Sequence, residues 1–169
     1  ANGSTSISDF LQLSGTILPN EALVITNGQV DSVWVTSFWS LPVDPVLYAL
    51  GDLHCSGIYP TPFYFNGDDA LVLSKYSNAI DIFGKVGEDP GTSWTDDATA
   101  GYTDANGGTF WTANHTLVRK PSILNGVSQH PMFFNPPLEW DSLPSGTYTG
   151  LGTHQVNCIN GCTDIRAIN

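Results

Sequence analysis

The turn Asn66-Gly67-Asp68-Asp69, followed at once by Ala70-Leu71-Val72-Leu73-Ser74-Lys75, constrains this chain more than any other stretch. Glycine permits a positive φ, and the flanking Asx side chains accept from nearby backbone N–H groups, so the chain must reverse here. Residues 70–75 then read as a strand. Leu71 and Leu73 share one face and Ala70 and Val72 the other, which predicts burial on much of both sides. Tyr76-Ser77-Asn78 is a short polar break. Ile80 and Ile82 alternate with Asp81 in a second strand, so the pair reads as a hairpin. Gly84 and the run Gly87-Glu88-Asp89-Pro90-Gly91 end it with residues that do not continue a ladder.

The rest of the chain reads as all-β with long loops. Residues 1–9 are small and polar and form a tail. Residues 10–13 and 22–26 are predicted strands, the second closed by Asn27-Gly28. Residues 31–62 form an aromatic insertion in which 31–38 alternate unevenly and read as a strand or a short helix, with irregular or helical structure favoured through Pro45 and a loop over 51–57. Residues 92–114 are polar and Gly-rich, a long loop of the kind that is functional or mobile. Residues 115–120 are a strand stopped by Pro121. Met132-Phe133-Phe134 are expected to pack inward. Pro136-Pro137 breaks the chain before Leu138-Glu139-Trp140.

At 169 residues the chain is long enough for one domain with a sizeable core. Five Lys+Arg stand against sixteen Asp+Glu, a formal net charge of −11. That field repels phosphate backbones, so no nucleic-acid partner is expected. It suits solubility in a salty medium or weak cation binding, and an acidic secreted protein is the plainer reading. No apolar run is long enough to span a membrane, so no membrane insertion is expected. No signal peptide is visible, so the chain is read as mature or excised from a longer one. Three cysteines in an acidic, loop-rich chain point to an extracellular or cell-surface location, where disulfides persist.

Several pieces in order resemble the lamin tail domain in the form found in secreted bacterial proteins. They are Phe65-Asn66-Gly67-Asp68-Asp69-Ala70, Ile80-Asp81-Ile82-Phe83-Gly84, Gly87-Glu88-Asp89-Pro90-Gly91, Trp94, Thr116-Leu117-Val118-Arg119-Lys120, Glu139-Trp140 and Leu151-Gly152-Thr153-His154. The resemblance implies an immunoglobulin-like β-sandwich over residues 1–156, with 31–62 inserted and without known catalytic residues. In bacteria such modules accompany extracellular nucleases, phosphatases and surface proteins. The family's opening strand has no counterpart here, which leaves room for a strand donated by another chain. Residues 157–169, with Gly161-Cys162-Thr163-Asp164, resemble the start of a Cys-bounded repeat of surface proteins from Bacteroidetes-type bacteria, and are read as a linker or the beginning of that repeat.

Arg119 is one of two arginines and stands at a family-like position. An ion pair fixing two strands is expected, with Asp69 and Asp81 as its candidate carboxylates. Cys55 with Cys158 is the pairing that fits the segment reading, and its loop would contribute up to ~4–5 kcal/mol in the chain-entropy account. Cys158 with Cys162 is the alternative and leaves Cys55 as a thiol. A zinc site is not expected, because His54 and Cys55 lack a second pair.

Asp96, Asp97, Asp104 and Asn106 are the candidate calcium ligands. The full twelve-residue pattern with its terminal Glu is missing, and Asx turns in a surface loop are the simpler reading. His54, His115, His130 and His154 are scattered, and no Gly-x-Ser-x-Gly occurs. Asp68 and Asp69 could serve metal-assisted hydrolysis, but adjacent carboxylates in a Gly-led turn are more often turn chemistry, so the chain is not expected to be an enzyme. Trp34, Trp39 and Trp111 either stack on a carbohydrate or a partner protein, or are buried against the body of the domain. Together these features predict a non-catalytic extracellular structural or adhesive module, with protein partners or self-association. The alternative is an accessory domain of a secreted hydrolase.

Overall fold

A computed structural model of the chain describes residues 3–97 and 108–156. The fold is β-rich. Its strands form four two-stranded ribbons among the described residues. β1 (Ile25–Asn27) runs parallel to β4 (Leu53–Cys55), while β2 (Val33–Val35) with β3 (Phe38–Ser40), β5 (Leu71–Lys75) with β6 (Asn78–Phe83), and β7 (His115–Arg119) with β8 (Trp140–Pro144) are antiparallel. Two short helices interrupt them, α1 (Pro45–Ala49) and α2 (Pro136–Glu139).

The hairpin expected after the Asn66-Gly67 turn is β5–β6. Its two-residue loop places Tyr76 and Ser77 at φ 50° and 65°. Positive φ at both positions gives the backbone twist that matches paired strands. The register shifts between Leu73 and Ser74, which leaves Ile80 as the extra residue of a bulge. The expected burial on both faces does not hold: Val72 is 48% and Leu73 49% exposed. Among the described residues β5 pairs only with β6, and alternation predicts two faces without saying whether a layer covers them.

Of the two forms open for residues 31–38, the structure takes the strand and not the favoured irregular or helical one. Residues 33–40 make the β2–β3 hairpin, and 51–57, expected as a loop, contain β4. Helix appears only at α1. There Asp44 caps the first turn, its Oδ1 accepting from Val46 N at 2.7 Å and Leu47 N at 3.4 Å, and Pro45 stands where its fixed φ suits a helix start. Residues 10–13 form no ladder, against expectation.

The core is aromatic and small. Trp94 is fully buried and meets Phe134 edge to face at 5.3 Å, and Phe83 packs on both Phe134 (5.0 Å) and Trp140 (5.6 Å). These rings lie between the β5–β6 and β7–β8 ribbons. Of the three residues 132–134 expected inside, only Phe134 is buried, while Met132 and Phe133 are exposed. Gly67, at φ 112°, tolerates no side chain, since a Cβ there would come within 2.6 Å of Ala113 Cα. This contact seats the Gly67 turn against the turn at Ala113, beside Trp94, whose N–H donates to Gly67 O at 3.4 Å.

Candidate functional site

The largest departure from an ordinary surface is the β2–β3 hairpin. Residues 32–43 carry no charged side chain in a chain of net charge −11. Trp34 and Trp39 stand directly opposite each other in register, their rings 5.5 Å apart and steeply inclined. They remain 53% and 59% exposed. Phe38, also exposed, meets Tyr59 edge to face at 5.3 Å, and Tyr59 in turn meets Tyr64 at 5.1 Å. Of the two alternatives open for Trp34 and Trp39, burial against the body is therefore excluded, and Trp111 is half-buried.

One buried side chain holds this aromatic hairpin in place. Gln29 Nε2 donates to Ser40 O at 3.0 Å and Leu41 O at 3.1 Å, and lies 3.2 Å from Ser40 Oγ. Its Oε1 accepts from Tyr59 N at 3.3 Å and from the Tyr64 hydroxyl. Its main-chain O accepts from Val43 N at 2.8 Å. Buried amides persist only when their polar atoms are satisfied, and Gln29 meets that condition by tying the exit of the β2–β3 hairpin and the segment around Tyr59 and Tyr64 to one point. Sequence reading missed it, because a lone Gln after Asn27-Gly28 looks like a turn residue. A shallow cavity of about 260 Å³ lies beside it, with Val30, Val33 and Ile58 among its walls. At the hairpin tip Thr36 adopts φ 46°. For a β-branched residue that is a costly conformation, about 1–3 kcal/mol, and it persists only because the flanking pairs hold it.

Arg119 links the two larger ribbons. Nη1 and Nη2 donate to both carboxylate oxygens of Asp81 at 2.6 and 2.9 Å, and Nη2 lies 3.4 Å from Glu139 Oε2. The guanidinium also sits 4.5 Å from the Trp140 ring centroid. Asp81 Oδ1 accepts a further bond from Val127 N at 2.9 Å. Burial pushes the Asp81 carboxyl up, but the bonds from Arg119 and Val127 N–H and the Arg119 charge outweigh it and hold it below the usual range. Of the two carboxylates expected for Arg119, the structure brings Asp81 to it and adds Glu139. Asp69 sits instead beside Trp94, whose indole N–H donates to its carbonyl at 3.3 Å.

Asp68 is buried in the Gly-led turn. Burial and the neighbouring Asp69 charge raise its carboxyl above the ordinary value. The Asn66 amide nitrogen donates to Asp68 and, at 3.1 Å, to Asp69 Oδ2. This is turn chemistry that shares one donor between two acids.

Among the described residues no group of three or more His, Cys, Asp or Glu is placed to hold a metal ion. Of the candidate calcium ligands, Asp96 accepts from Thr109 N at 2.6 Å, Asp97 follows it at the edge of the described chain, and Asp104 and Asn106 lie outside the described residues. Cys55 is buried on β4; Cys158 and Cys162 lie outside the described residues. The four histidines do not converge: His54 stacks on Tyr48 at 3.8 Å and bonds Thr26 Oγ1 at 2.7 Å, while His115 Nδ1 bonds Ala113 O at 2.6 Å. No described helix is long and apolar enough to cross a membrane. Neither a family model, nor a curated protein, nor a solved structure matches the chain.

Proposed function

We propose that this chain is a non-catalytic extracellular structural or adhesive module, an immunoglobulin-like β-sandwich of the lamin tail kind. The observation that carries the adhesive part is the exposed, uncharged aromatic hairpin, with Trp34, Phe38 and Trp39 presented to solvent by a buried Gln29 anchor. Aromatic side chains offer contact area at low entropic cost and dominate recognition surfaces. The sandwich reading draws its support from the aromatic core between the β5–β6 and β7–β8 ribbons and from the Asp81–Arg119 bridge joining them.

The test is binding of the full chain to immobilised polysaccharides and extracellular-matrix proteins, beside a Trp34→Ala/Trp39→Ala variant of unchanged circular dichroism. Binding that falls at least tenfold in the variant supports the reading. Turnover of phosphomonoester or phosphodiester substrates by the chain alone would overturn it.

A further inference from the structure

The two indoles of the β2–β3 hairpin form a face of their own. Trp34 lies directly opposite Trp39, so both project to one side of the ribbon, while Val33, Val35, Phe38 and Ser40 project to the other. That other side is the anchored one: Ser40 is buried against Gln29, and Phe38 meets Tyr59. The tryptophan face therefore points away from the Gln29 anchor.

Size, charge and shape narrow what this face can hold. At about 250 Å² per tryptophan, exposures of 53% and 59% leave roughly 280 Å² of the pair open. Each side of a stable protein interface contributes about 800 Å². Asp31 and Asp44, both exposed, bound the uncharged stretch, so a partner that extends past the hairpin meets acidic surface. A second copy of this chain, itself at −11, is repelled there, and so is an anionic polymer. The face has no charge of its own to hold a cation. A neutral ligand of small cross-section fits these conditions. A pyranose is one: its C–H groups make an apolar face that lies on an indole while its hydroxyls stay in water.

The ring geometry selects further. The two ring planes are inclined by 65° with centroids 5.5 Å apart, so no flat surface lies on both at once. In a ribbon-like glucan such as cellulose, successive sugar rings are nearly coplanar. In a helical glucan such as amylose or laminarin, each ring is turned relative to the last.

We infer that Trp34 and Trp39 together hold a single chain of a neutral, helical glucan, one sugar ring on each indole. The inference names the partner of the adhesive surface proposed above and rests on that reading. The Gln29 ties at the hairpin's exit keep the two rings at their fixed inclination.

The test is calorimetric titration of the full chain with maltoheptaose, laminarihexaose and cellohexaose. At least one of the two turned-ring probes is expected to bind about tenfold more tightly than cellohexaose, with an affinity that added salt leaves unchanged. Trp34→Ala and Trp39→Ala should each weaken that binding about tenfold, the loss of one stacked ring, whereas Trp34→Tyr/Trp39→Tyr should keep it within about threefold. If an alanine variant fails to fold, the wild type decides: the indole N–H resonances of Trp34 and Trp39 should shift on titration and that of buried Trp94 should stay. The inference is overturned if neither turned-ring probe binds, if cellohexaose binds as tightly, or if binding survives removal of both rings. In each of these cases, tryptophan-dependent capture of an extracellular-matrix protein leaves the adhesive reading standing with a protein as the occupant. Absence of any tryptophan-dependent binding removes that reading as well.

Discussion

Arg119 and Asp81 join the β7–β8 and β5–β6 ribbons by two parallel hydrogen bonds of 2.6 and 2.9 Å. Asp81→Asn leaves the guanidinium half-paired in a partly buried site. It should cost about 2–3 kcal/mol at neutral pH, between the values for exposed and buried pairs, as read from urea unfolding. Because the native Asp81 carboxyl titrates below the unfolded value of 3.8, its stabilisation is complete above about that pH and is lost as pH falls through the native value. The variant should therefore show a flatter acid limb. Arg119→Lys should not rescue, since an ammonium reproduces neither the two-point bond nor the stacking on Trp140.

Asp68 has the opposite sign. Its raised native carboxyl binds a proton that the unfolded chain has already released, so its ionisation costs stability as pH rises from 3.8 through the native value. Asp68→Asn should raise the melting temperature at pH 7 and remove that component of the pH dependence, measured by thermal unfolding between pH 3 and 8.

Gln29 is the insertion's anchor. Gln29→Ala leaves Ser40 O, Leu41 O and the Tyr64 hydroxyl without their partner. Buried groups stranded in this way should cost about 2–4 kcal/mol. Hydrogen exchange should accelerate across 33–43 more than at Trp94, because the ties lost are those of the hairpin and not of the core.

Trp34 and Trp39 hold the hairpin tip against the strain at Thr36. A double-mutant cycle over Trp34→Ala and Trp39→Ala should return a coupling of about 0.5–1.5 kcal/mol. Each single change should leave the core cluster's near-ultraviolet signal in place.

Local pattern made part of this fold readable. The β5–β6 and β7 strands follow from alternation bounded by Gly and Pro, and the Gly67 turn follows from residue type alone. What failed is what depends on distant partners. β4 is three residues long and exists because β1 runs beside it; nothing within Leu53-His54-Cys55 announces that. β2–β3 was obscured by its uneven alternation and the prolines that follow. Residues 10–13 have strand-like composition but find no pairing neighbour among the described residues. At the site, the sequence pointed to Arg119, Asp81 and the tryptophans by residue type, whereas Gln29 and Glu139 owe their roles to burial and proximity, which no spacing encodes.

The bridge between Thr95 and Phe110 has a practical corollary. Asp96 N donates to Thr109 O at 3.2 Å and Trp111 N to Trp94 O at 3.0 Å, so the chain on either side of 98–107 is stapled together. For a flexible segment closed at its ends, doubling the length costs only about 0.6 kcal/mol. An insertion between these staples is therefore expected to change stability by about 1 kcal/mol or less, as read from urea unfolding.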